Sequence, residues 1–193
     1  MPKPTLAISK RTAAMQASPI RRLVPLADQA KARGLKVYHL NIGQPDIATP
    51  AEVMEAVKGF REEVLAYGPS LGLPELRQEI RKYFEGRDAP LSVDDIMVTT
   101  AGSEAIVFAL LAVGDPGDEV LVPEPFYTNY NGFASMAGMT LVPVPADVET
   151  GFSLPSRSEF AKRVTPRTRA ILFCSPNNPT GAVFSRQDLE MLA

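Results

Sequence analysis

AILFCSPNNPTG, residues 170–181, joins an apolar run to a stiff polar turn. Ala170–Cys174 carries no polar alternation, which suits a strand buried on both faces of a parallel sheet. Ser175-Pro176-Asn177-Asn178-Pro179-Thr180-Gly181 follows at once. Its two prolines fix φ and remove two donors, and Gly181 permits a positive φ. The reading is a rigid turn at the carboxyl end of a strand, where open α/β sheets bind ligands. Such a turn can hold an asparagine amide still and aim it into a pocket. An ordinary Pro/Asn/Gly loop is the plainer alternative.

Upstream of this stretch the pattern repeats. Strands are expected at Ile96–Thr100, Glu119–Val122 and Thr140–Val144, separated by helices at Ala105–Val113, 128–137 and 156–164. From residue 96 onward, strand and helix alternate, which predicts a doubly wound α/β sheet with mostly parallel strands. Residues 1–90 read as mostly helix and loop. Residues 1–17 form an extended arm. Ser18-Pro19 starts a helix that runs to Gly34 and kinks near Pro25. Val37–Leu40 is a short strand. Thr49-Pro50-Ala51-Glu52 is a capping box opening a helix to Val64. Pro74 starts a helix that Gly86 ends, with Leu76, Ile80, Tyr83 and Phe84 on one apolar face. Ser185-Arg186-Gln187-Asp188 caps a last helix that reaches Ala193 with no stop signal, the mark of a truncated chain. The expected division is 1–48 for the arm, a helix and part of a small domain, and 49–193 for a large α/β domain.

Composition narrows the classes. The 193 residues are 45% hydrophobic and 22% charged, with a net charge of −2, an ordinary globular balance. Lys and Arg are scattered, so no nucleic-acid footprint is expected. No segment has signal-peptide or membrane-spanning character, so no membrane partner is expected. The one cysteine, Cys174, allows no internal disulfide and fits a reducing cytoplasm. With one Cys and one His, no zinc pattern exists and no metal is expected.

Four further segments could carry chemistry. Gly102, Ser103 and Glu104 lie in Thr99-Thr100-Ala101-Gly102-Ser103-Glu104-Ala105, where free backbone N–H groups and the helix dipole offer an anion site. An unliganded N-cap is the alternative. Tyr127, in Pro125-Phe126-Tyr127 just after a strand, can stack on a planar ring or fill the core. Gly43, in Gly43-Gln44-Pro45-Asp46, can offer backbone N–H groups to a carboxylate. Tyr67 in its Gly/Pro loop can donate to a phosphate. A G-x-G-x-x-G fingerprint, a P-loop lysine and a G-x-S-x-G elbow are absent from the sequence.

These segments together resemble one family. NIGQPD (41–46), YGPSLGLPELR (67–77), VTTAGSEA (98–105), PEPFYTNY (123–130) and SPNNPTG (175–181) resemble, in order and spacing, the class I/II aminotransferases. These are pyridoxal-phosphate enzymes of the aspartate aminotransferase fold, fold type I. The resemblance covers essentially the whole chain as the N-terminal half of such an enzyme. It implies an incomplete α/β fold, with a helical N-terminal segment followed by a doubly wound, mostly parallel sheet.

The resemblance also implies roles. Gly102, Ser103 and Glu104 would hold the phosphate of pyridoxal 5'-phosphate, Tyr127 would stack on its ring, and Asn178 would bond its ring oxygen. Gly43 would meet the substrate carboxylate through its backbone. Tyr67 would reach the phosphate of a partner subunit, which implies a homodimer. The implied reaction is a ping-pong transfer of an amino group between an amino acid and a 2-oxo acid. A carbon–sulfur lyase of the same fold and a non-catalytic remnant or effector-binding domain are the alternatives. The family's Schiff-base lysine is expected beyond Ala193, so no catalytic residue is assigned in this chain. The lysine carries the proton transfer at the reacting carbon. The purified 193-residue chain is therefore expected to show no transamination when incubated with cofactor, amino acid and 2-oxo acid. Measurable turnover would refute this.

Overall fold

The computed structural model describes residues 7–15, 21–87 and 89–193. It contains helices α1 (Lys10–Ala14), α2 (Val24–Ala32), α3 (Ala51–Gly59), α4 (Pro74–Glu85), α5 (Ala101–Val113), α6 (Tyr130–Ala137), α7 (Arg157–Ala161) and α8 (Arg186–Leu192). The strands are β1 (Glu119–Glu124), β2 (Thr140–Pro145) and β3 (Thr168–Ile171). The chain forms two compact units, one of Met1–Val24 with Gly102–Ala193 and one of Pro25–Ala101. Among the described residues, no helix is long and apolar enough to cross a membrane.

The first unit is built on β1. All three strands are parallel, in the order β2-β1-β3. Successive side chains of a strand face opposite ways, and β1 uses both faces. Val120 and Val122 enter a cluster with Leu110 of α5, Phe133, Ala134 and Ala137 of α6, and Met139. Leu121 enters a second cluster with Val144, Leu154, Phe160 of α7 and Phe184. Burial of each such side chain is worth about 1.5–3 kcal/mol. The crossover through α6 leads to one side of β1 and the crossover through α7 returns to the other. That is the expected doubly wound pattern, and the three strands near 120, 141 and 171 neighbour one another as the sequence suggested.

Several expectations are corrected. The segment 96–100 joins no ladder among the described residues. It stays extended, and the Val98 amide donates to Leu71 O at 3.0 Å. A strand needs a neighbour to pair with, and among the described residues none of β1, β2 and β3 pairs with this segment. Val37–Leu40 likewise forms no strand. The helix opened near Pro50 stops at Gly59 rather than Val64, and Pro50, not Thr49, is its N-cap, with no side-chain cap bond. α5 starts four residues early, at Ala101. β3 begins at Thr168 and its ladder ends at Ile171, short of Cys174. Among the described residues of the arm, Lys10–Ala14 form the short helix α1, capped by the Ser9 hydroxyl. Ser18 and Pro19 lie outside the described residues. Pro25 sits as the second residue of α2, after a 3-10 turn at Arg21–Leu23, rather than at a mid-helix kink.

In the second unit, α4 keeps its expected bounds, with Gly86 as C-cap. Its buried residue is Arg77, however, while Leu76 and Tyr83 are exposed. The Arg77 guanidinium donates to Ile96 O at 3.0 Å and to Val93 O at 2.5 Å, which gives Ile96 O a partner and adds a second donor to Val93 O beside the Ile96 amide.

The amino end of β1 is clamped by charge. Arg169 Nε donates to Asp118 Oδ2 at 2.8 Å. Glu119 accepts from the Thr165 hydroxyl at 2.6 Å and from Arg167 Nε at 3.0 Å. The ladder shifts between Glu119 and Val120, so that Glu119 faces Thr168 and Val120 faces Ala170. Arg169 is thus the extra residue of a bulge, re-aimed to reach Asp118. The Arg169 bond, and then the backbone N–H of Asp115, hold the Asp118 carboxyl below its ordinary range. The Thr165 hydroxyl, and then Arg167, do the same for Glu119. Groups with depressed folded pKa values stabilise the fold above the ordinary carboxylate range, and that stability is lost as the pH falls through their folded values. The thermal midpoint should therefore hold steady from pH 7 down to about pH 4 and fall below it. Replacing Arg167 and Arg169 together by alanine should flatten this acid limb, as read by circular dichroism melts across the range.

Candidate functional site

Proline opens a crevice at the carboxyl end of the sheet. The Leu172 amide donates to Leu121 O at 2.8 Å, so Leu121 directs its backbone polar groups toward β3. The Ala146 amide donates to Glu124 O at 2.8 Å, so Glu124 directs its own toward β2. Alternation then turns Pro123 toward β3, just where the ladder stops, and Pro123 has no N–H to continue it. Beyond this point the chain leaves β1 toward α6, and the segment after β3 leads to α8 on the opposite face. Loops that diverge in this way at neighbouring strand ends define the switch point where α/β sheets bind ligands.

A shallow, closely packed crevice occupies this position, lined by Pro123, Phe126, Tyr130, Phe173, Cys174 and Asn177 among others. Phe126 stacks on Tyr130 with centroids 6.3 Å apart, and Tyr127 meets Tyr130 edge-on at 5.5 Å. Asn129 Nδ2 donates to the Tyr127 hydroxyl at 2.5 Å. Burial pushes the Tyr130 phenol up, and the adjacent Cys174 thiol adds to the shift. Cys174 is half-buried, and its thiol donates to Pro176 O at 3.1 Å.

The turn after β3 is held from within. The Gly181 amide donates to Asn177 O at 2.7 Å and the Asn177 amide to Ala182 O at 2.8 Å. The Phe184 amide donates to Ser175 Oγ at 3.0 Å. Gly181 adopts φ +75°, the left-handed conformation that the turn requires of it. Asn177 turns back onto the protein, whereas Asn178 is exposed and makes no hydrogen bond among the described residues. Sequence reasoning singled out Asn178 and missed Asn177. Two adjacent asparagines were the signal, but their order alone does not say which one faces outward.

The helix N-terminus comes to the same end by topology. The turn 114–118 joins α5 to the amino end of β1, and Leu110 packs on Val120 and Val122. α5 therefore runs antiparallel to β1, with its first turn at the carboxyl end. Gly102, Ser103 and Glu104 all lie within that turn of the 13-residue helix. The first N–H groups of a helix have no intrahelical acceptor, and Gly102 and Ser103 are exposed. Open space surrounds the position a side chain would take at Gly102. Ala101 enters the helix at φ +62°, a conformation costing an L-residue about 1–2 kcal/mol and one that gathers at functional sites.

The first unit thus gathers Gly102, Ser103, Glu104, Tyr127 and Asn178 at one end. Gly43 and Tyr67 belong to the second unit. Gly43 lies in an exposed turn with nothing near its Cα position's open side, and Tyr67 is 106% exposed.

The donor set suits a phosphorylated planar ring. The backbone N–H groups of Gly102 and Ser103 and the serine hydroxyl match an anion, an aromatic ring beside the crevice matches a flat heterocycle, and the exposed Asn178 amide matches a ring oxygen.

Comparison with known proteins gives a consistent result. The family profile described as "Aminotransferase class I and II" matches residues 36–193. The chain is 36% identical to the aspartate/prephenate aminotransferase of Thermus thermophilus, over 96% of this chain and 49% of that protein. It is 35% identical to a probable aspartate/prephenate aminotransferase of Aquifex aeolicus, over 96% of this chain and 48% of that protein. Among solved structures, an alanine aminotransferase from Pyrococcus furiosus superposes with a TM-score of 0.89 at 37% identity, covering 96% of this chain and 48% of that one. The chain spans about half the length of the curated relatives it matches.

Proposed function

We propose that the protein, whose chain belongs to the class I and II aminotransferase family, is a pyridoxal 5'-phosphate-dependent aminotransferase acting on an amino acid and a 2-oxo acid. The observation that carries the proposal is the gathering of a helix N-terminus, an aromatic loop and an exposed amide at the switch point of the sheet. Matched relatives are named for aspartate, prephenate and alanine, so the proposal is made for the substrate class.

Each residue has a role under this reading. The N–H groups of Gly102 and Ser103 and the Ser103 hydroxyl hold the cofactor phosphate, aided by the positive end of α5. Glu104 belongs to the same first turn of α5 and helps shape it around the phosphate. Tyr127 covers one face of the ring, its hydroxyl held by Asn129. Asn178 donates to the ring oxygen. Gly43 receives the substrate α-carboxylate on its backbone N–H. Tyr67, wholly exposed on its own chain, reaches the phosphate held by a second subunit, so the working unit is a homodimer. The cofactor, when bound, supplies the carbonyl that carries the amino group and the electron-withdrawing ring that lowers the reaction barrier.

The proposal includes a division at residues 48/49 into an N-terminal part and a larger cofactor-binding part, and a cytoplasmic location in keeping with one unpaired thiol.

In the full-length protein, Ser103→Ala and Asn178→Ala should each raise the cofactor dissociation constant about tenfold, the loss of one hydrogen bond to a charged or ring oxygen. Absorbance titration of the apoprotein measures this. Tyr67→Phe should weaken cofactor binding only at protein concentrations that sustain the dimer. Unchanged affinity in the first two variants would overturn the site.

A further inference from the structure

We propose that Asn177 is the positioning residue that fixes the distance between Tyr127 and Asn178, and so pre-forms the slot for the cofactor ring. This rests on the cofactor reading above. The two groups that would grip the ring sit on separate loops, one after β1 and one after β3, and no ladder joins those loops past Leu172. A side-chain amide bonds across them. Asn177 Nδ2 donates one hydrogen to Pro125 O at 3.0 Å and the other to Thr180 Oγ1 at 2.9 Å. Pro125 lies two residues before Tyr127, and Asn177 immediately precedes Asn178. The amide thus ties the aromatic loop to the turn from the residues next to the two gripping groups.

The chemistry of the bridge is directional. A carbonyl oxygen only accepts, so Pro125 O requires the amino nitrogen of Asn177 to face it. An aspartate at 177 keeps the shape but sets oxygen against oxygen. The turn needs the bridge because Thr180 Oγ1 also accepts from the Ala182 amide at 3.2 Å. The same hydroxyl therefore links Asn177 to the backbone that returns toward Phe184. Pre-organisation of this kind lowers the ordering cost of binding without any contact to the ligand.

The test uses the full-length protein, with pyridoxal 5'-phosphate as the probe. Asn177→Asp and Asn177→Ala should raise the cofactor dissociation constant at least about fivefold through loss of one bridging hydrogen bond. They should also shift the pH titration of the bound cofactor's visible absorption, because Asn178 no longer holds its ring oxygen at a fixed place. Thr180→Val should reproduce a smaller part of both effects, and Thr180→Ser, which keeps the hydroxyl, should restore them. If the Asn177 variants fail to fold by circular dichroism, the Thr180 pair decides. Asn178→Ala serves as the control. Normal affinity and an unshifted titration in the Asn177 and Thr180 variants, with a clear defect in Asn178→Ala, would overturn the positioning role alone. No defect in Asn178→Ala would overturn the cofactor reading, and the positioning role with it.

Discussion

Val120, Leu121 and Val122 are wholly withdrawn from solvent, and both hydrophobic clusters of the first unit close on them from opposite sides. A strand in this position has no free edge and no free face. Its two edges are taken by β2 and β3, and its two faces by helices. Every element that bears on the site is placed relative to it. α5 is set antiparallel along one face, the aromatic loop leaves its carboxyl end, and the turn after β3 rises beside it. The clamp of Asp118 and Glu119 by Arg169 and Arg167 anchors its other end. The bulge at Arg169 sets which β3 residue opposes each β1 residue, and hence how far the β3 turn reaches beyond Pro123.

Much of this was legible in the residues. The short apolar runs at 120–122 and 141–144 declared strands through their length, their valines and the turn signals on either side. Ser185 and Asp188 declared a helix start, and the capping box forms with both reciprocal bonds. The segments 37–40 and 96–100 read as strands, yet neither joins a ladder among the described residues. Local sequence reports a preference for extended backbone, but a strand exists only where a second strand accepts its hydrogen bonds. Periodicity failed on α4 in a related way. It identified residues that share a side of the helix but not what lies against that side, and the buried position went to Arg77, whose guanidinium meets two backbone carbonyls.

At the candidate site, residue type and order pointed to an asparagine of the turn, Tyr127 and the start of α5, and the family resemblance implied Asn178. Position in the turn was not legible. Which of two adjacent asparagines faces inward depends on the backbone path after β3, and that path is set by Pro123 and the turn's internal bonds rather than by either amide. Proline in a central strand is ordinarily a sign against that assignment. Here it faces the side where the ladder to β3 has already ended, while the pairing with β2 runs on to Glu124, so it marks the mouth of the crevice instead of breaking the sheet.

The order in which the strands leave the ribosome adds a consequence. Glu119 and Arg167 are 48 residues apart in sequence, so β1 is synthesised well before its second neighbour exists. At roughly 5–20 residues per second, that interval lasts several seconds. During it, one edge of an apolar strand stands open, with α5 and α6 as its early covers. Short helices form within microseconds, so they can shield Val120 and Val122 promptly. The Leu121 face, and the edge that β3 will occupy, have no such early cover. The arrangement that makes β1 so well buried in the finished fold leaves one of its faces and one of its edges open until β3 emerges.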